Sequence, residues 1–195
     1  MHPMHLHRIS IKFFVADPSV VDLDAIIKTF HGWIQHAKAP GMLIDVADYR
    51  HMVDGPGVVL IGHEGDYALD MAAGRPGLLH TQKRGGGDLD QQLITLLHHG
   101  LVACRTLANQ TPIRFNTDAF RLMFLDRLRA PNMAGTFDQV RPRVEAALAP
   151  AYGGGATLTL ERQDNDPRAC LTINAKASKD PGFDAVIERL SLATA

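Results

Sequence analysis

Cysteine is nearly absent: the 195 residues contain only Cys104 and Cys170. That excludes a disulfide framework, and their apolar settings, LVACR and RACLT, raise a thiol's pKa and quiet it. Charge of one sign is missing too. Twenty Lys and Arg face 21 Asp and Glu, for a formal net charge of −1, and no basic run exceeds two residues. A chain without a basic field is a poor fit to a nucleic-acid partner. Long apolar runs are absent, none approaching the ~20 residues a membrane span needs. The start, MHPMHLHR, lacks the apolar core of a secretory signal. These absences lead us to expect a cytoplasmic protein with no membrane span and no nucleic-acid partner.

Reaction motifs are scarce as well. There is no G-x-S-x-G elbow, and Ser10, Ser19, Ser178 and Ser191 sit in no nucleophile pattern. The glycine-rich KRGGGD, Lys83 to Asp88, is not a Walker A loop, because no Lys-Ser or Lys-Thr follows its last glycine.

What is present is an ordinary globular composition, 46% hydrophobic and 21% charged. Arg8 to Val15 alternates as a strand, with Ile9, Ile11 and Phe13 on one side. Asp22 can cap a helix from about Leu23 to Ala37, whose Leu23, Ile26, Ile27, Phe30 and Ile34 share a face. Met42 to Tyr49 reads as an interior strand, Asp54-Gly55-Pro56-Gly57 as a turn, and Val58 to Ile61 as the return. Leu78 to Gln82 reads as a short strand, and Asp88 caps a helix to about Ala108. Further on, Ile113–Phe115 and Phe120–Leu128 read as two strands. A helix follows from about Thr136 to Ala149, with Pro142 delaying or kinking it. A hairpin forms around Asp164-Asn165-Asp166-Pro167, and a last helix starts at Pro181.

The two parts of the chain look alike. ISIKFF (Ile9–Phe14) matches FRLMFL (Phe120–Leu125), and the helices at Asp24 and Asp138 fall at a similar offset. We therefore expect an α+β fold: a mixed or antiparallel sheet with helices on one face, built from a possible internal duplication of a β-α-β-β-α unit. The halves are residues 1–110 and 111–195, packed as one compact unit.

Three places could carry chemistry. The acids and imidazoles between Asp45 and Asp70 suit a divalent metal, with Asp45, His63, Glu64 and Asp66 as the expected ligands of a metal-dependent hydrolase. With Asp54-Gly55 as a two-residue turn, Asp45 would face Glu64 across the hairpin. Secondly, the loop Lys83, Arg84, Gly85 and Gly86, before a helix N-terminus, suits an anion or nucleotide. Thirdly, Met1, His2, Met4, His5 and His7 could hold a soft metal such as Cu(I). Bland readings compete with each: solvated acids, a plain linker, a frayed terminus. Since no catalytic constellation is complete, the leading expectation is an accessory or assembly protein with no obligate cofactor. It would act through protein contacts, as a homo-oligomer or with a protein partner, its exposed sheet edges serving for pairing.

Overall fold

The computed structural model describes residues 6–84, 86–163 and 166–193. Met1, His2, Met4 and His5 of the soft-metal reading, Gly85 of the glycine-rich loop, and the turn residues Asp164 and Asn165 lie outside these. Eight strands form one sheet: β1 (Ile9–Val15), β2 (Leu43–Asp48), β3 (Val58–Gly62), β4 (Gly65–Asp70), β5 (Gly77–Gln82), β6 (Phe115–Phe124), β7 (Leu158–Arg162) and β8 (Leu171–Ala177). Four α-helices join them: α1 (Leu23–His36), α2 (Leu89–Gln110), α3 (Ala134–Leu148) and α4 (Gly182–Ala193). The strand order is β2-β3-β4-β5-β1-β6-β8-β7, and every neighbouring pair is antiparallel. The fold is therefore α+β, with the antiparallel form of the expected sheet.

One face of the sheet is apolar and covered. Ile9, Ile11 and Phe13 of β1, Leu78 of β5, and Phe120, Leu122 and Phe124 of β6 alternate onto it, all nearly fully buried. Helix α2 lies across these central strands, burying Leu93, Leu96, Leu97, Leu101 and Cys104. It comes close because Gly100 has no side chain: a Cβ there would stand 2.9 Å from the Phe13 ring. Helix α1 covers β2 and β3, while α3 and α4 flank α2. The helix starts follow local chemistry. Asp22 accepts from the Asp24 and Ala25 amides, and Asp88 from Gln91 N–H, as N-cap carboxylates do. The opposite face of the sheet carries no helix.

The strands within each half close similarly but are not equal in number. The first strand pairs with the last of its own half, β1 with β5 and β6 with β8. The first half supplies five strands and the second three. This shared closure does not by itself establish the duplication.

Three local expectations are corrected. The β2–β3 connection spans residues 49–57 rather than two residues. Its Tyr49–Met52 and Met52–Gly55 backbone bonds wind an extended loop, so Asp45 lies opposite Ile61 and not Glu64. The region from Ile113 to Leu128 is one strand, Phe115–Phe124, not two. Asn116-Thr117-Asp118 does not turn the chain, because Phe115 pairs with Val15 past a register shift and Ala119 already pairs with Lys176. Finally, α3 begins at Ala134, and Pro142 sits inside it without ending it.

Candidate functional site

The two sites expected nearest the first hairpin turn out to be one place. The β3–β4 turn and the start of the β5–α2 loop are laced together: Glu64 C=O accepts from the amides of Lys83 and Arg84. Lys83 Nζ lies 2.7 Å from Asp66 Oδ1, which also accepts from Gly62 N–H. Arg84 donates to His63 Nε2 at 2.9 Å. Glu64 Oε2 accepts from Met42 N–H, and this bond holds its carboxyl below the usual carboxylate range.

The residues expected to ligate a metal are thus placed apart and put to other use. Asp45 sits exposed on β2 and bonds the adjacent Val46 amide. Asp66 projects to the helix-free face with Lys83. His63 holds Arg84, and Glu64 fastens the chain before β2. Among the described residues, no three His, Cys, Asp or Glu side chains cluster closely enough to hold a metal ion. A small hollow of ≈ 230 Å³ at this end is lined by Glu64, His80, Gln82, Arg84 and His99. Burial pushes His80 down to about 3 and His99 to about 4. His80 donates Nδ1–H to Asp66 C=O and stacks on Tyr67 with ring centroids 4.4 Å apart. His80 is a buried structural imidazole, and His99 is partly buried at the edge of the hollow.

The helix-free face carries a different arrangement, which the sequence reading did not single out. Lys12 leaves β1 on this face, yet its side chain is 2% exposed. It crosses Gly77 of β5, where a Cβ would stand 2.8 Å from Lys12 Cε, and reaches Asp70 Oδ2 of β4 at 2.6 Å. Gly77 is therefore the space through which the lysine stem runs. Asp70 spends its second oxygen on Ala72 N–H, opening the tight turn that displays Arg75. Ala73 and Gly74 both take left-handed backbone angles in that turn, with φ of 57° and 63°.

Three cations then surround one ring. The Arg75 guanidinium lies 4.0 Å from the Phe14 centroid, that of Arg121 5.2 Å, and Lys12 Nζ 5.7 Å. Ring faces attract cations, but the cations repel each other. Burial, opposed by the Asp70 bond and charge, lowers Lys12, and Arg121 and Arg75 push it the same way. Burial and Arg75 likewise lower Arg121. Asp70 is bonded to Lys12 alone, though its charge also reaches Arg121. Among the described residues neither Arg75 nor Arg121 has an ion-pair partner; Arg121 Nε donates only to Asn174 Oδ1, at 3.0 Å.

Beside this group lies a hollow of ≈ 440 Å³, walled by Phe14, Arg75, Asn116, Ala119, Thr159, Glu161, Asn174 and Lys176 with backbone of Phe120 and Ala175. Its base is the sheet itself, so strand register fixes its floor. A cationic wall with an apolar ring and amide groups is chemistry that holds an anion. The sequence did carry a trace of it: Lys12 and Arg121 each interrupt an apolar strand, the position at which a charged residue needs a reason.

The chain matches no protein-family model, and no curated protein matches it.

Proposed function

We propose that this protein binds a small anionic molecule, one bearing a carboxylate or phosphate group, in the hollow on the helix-free face of the sheet. One observation carries this: Arg75 and Arg121 share the Phe14 ring, and neither has a carboxylate partner among the described residues. An anion against Arg75, which lines the hollow, offsets the like charge that Arg121 feels from outside its wall. The reading is of binding without chemistry, since no serine, cysteine or histidine lines the hollow. Calorimetric titration with acetate and inorganic phosphate tests it, backed by the rise in melting midpoint that a native-state ligand causes. Arg75→Gln and Arg121→Gln should each weaken binding by about tenfold, the scale of one lost charge-assisted bond. Equal affinity in the double variant, or no binding of either anion to the wild-type protein, refutes the reading.

A second reading, assembly through protein contacts, has its own support. The free edge strand β2 and the loop after it expose Met42, Ile44, Tyr49, Met52 and Val53, the last at 95%. An apolar rim along an unpaired edge favours pairing with a second copy of the chain or with another protein. Light scattering after size exclusion should give a mass above that of one chain, and Val53→Asp should return it to the monomer. A monomer mass at every concentration removes this reading. No helix among the described residues is long and apolar enough to cross a membrane.

A further inference from the structure

The register of the sheet says more about what the hollow takes. Lys12 of β1 lies opposite Arg121 of β6, Arg121 opposite Asn174 of β8, and Asn174 opposite Glu161 of β7. All four side chains point to the helix-free face, because their neighbours on either side point to the helices. They form a single row across four adjacent strands: cation, cation, amide, carboxylate.

The row is polar from one end to the other, and its far end is unused. Lys176, the cation nearest Glu161, is drawn away to Asp118 at 2.9 Å. Glu161 has no ion pair among the described residues. Asn174 gives its oxygen to Arg121. Successive strands stand about 4.8 Å apart, so Arg121 and Glu161 rise from backbones about 10 Å apart. Extended side chains narrow that gap to the length of a short aliphatic chain.

On this basis, and resting on the anion-binding reading above, we infer that the ligand is a zwitterion: an amino acid or similar molecule whose acid group meets Arg75 and whose ammonium group meets Glu161, both of which line the hollow. Glu161 then acts as the specificity residue, separating amino acids from simple acids of the same size. A carboxylate that faces the site repels any ligand with a second anionic group at that end, which sharpens the discrimination.

Two probes of equal chain length, butanoate and 4-aminobutanoate, isolate the ammonium group. Calorimetric titration of the full chain should show 4-aminobutanoate binding at least about tenfold more tightly than butanoate. Glu161→Gln should erase that preference, so that the variant binds the two probes equally, with an unaltered melting midpoint showing that the fold is intact. Butanoate binding as well as or better than 4-aminobutanoate overturns the zwitterion inference and leaves the anion reading standing. So does a preference that survives Glu161→Gln. If neither butanoate nor phosphate binds the wild-type chain, the anion reading itself is lost, and the inference with it.

Discussion

Two groups of cations in this molecule look equivalent on paper and are not. At the β5–α2 end, Lys83 and Arg84 sit beside a glycine-rich loop, near several acids and imidazoles. There Lys83 pairs with the Asp66 carboxylate, and Arg84 hydrogen-bonds His63 with the Glu64 charge nearby. On the helix-free face, Lys12, Arg75 and Arg121 come from three separate stretches of chain, and Lys12 alone of the three has an ion pair. Density of polar residues along the sequence is thus a poor guide to residual charge. Residues close in sequence and mixed in sign neutralise each other across a turn. Unbalanced charge arises where the sheet brings together residues of one sign from distant strands.

The comparison can be broken at its strongest joint. Asp70→Ala leaves Lys12 buried without a counter-charge, and we expect a loss of about 3–5 kcal/mol in urea unfolding. The double change Lys12→Met with Asp70→Ala should recover most of it. Next in size is Gly77→Ala, whose Cβ would lie 2.4 Å from Phe13 O and against the Lys12 stem. Overpacking of this kind costs about 1–3 kcal/mol, and the same unfolding curves measure it.

Acid tests the opposite end. His80 and His99 are held far below the ordinary imidazole value of 6.5, so the unfolded chain takes up protons before the folded one does. Their contribution is full above about pH 6.5 and is lost as pH falls toward 4. From pH 7 to 5 stability should drop by about 1–2 kcal/mol for each histidine. His80→Gln should flatten the slope; an unchanged slope places the acid sensitivity elsewhere. Lys83→Ala should cost less, about 0.5–1 kcal/mol, since its pair with Asp66 is partly solvated on both sides. Arg75→Gln sharpens the contrast: within about 0.5 kcal/mol in stability, yet weaker in anion binding. A large stability loss there would make Arg75 a structural residue.

Helices and strands were legible where their own residues decide them. Asp22 and Asp88 marked helix starts, and the alternation of Ile9, Ile11 and Phe13 marked a core strand. Residues 49–57 misled because Asp54-Gly55 has the look of a tight turn, while Tyr49, Met52 and Gly57 hold the loop open through backbone bonds that no dipeptide reveals. The strand at Phe115–Phe124 was split in two because Asn116-Thr117-Asp118 carries turn residues inside a continuous ladder. Thr117 there hydrogen-bonds Asp180, and its carbonyl accepts from the buried Tyr152 hydroxyl. Distant partners overrode local preference. Of the open-face site only the charges interrupting two apolar strands, Lys12 and Arg121, were legible, since the row Lys12, Arg121, Asn174, Glu161 exists only once the strand order is known.

That strand order also governs how the molecule comes together. The seam between the two halves is the β1–β6 junction, where Ile9 meets Phe124 and Phe13 meets Phe120. Every other neighbouring pair of strands joins segments of the same half. Closing this seam means bringing together chain ends separated by all of β2 to α2, a search that slows folding. Severed in the Thr111–Arg114 link between α2 and β6, the protein would leave two pieces with matching raw edges, and their reunion would rebuild the charged row as it closed the sheet.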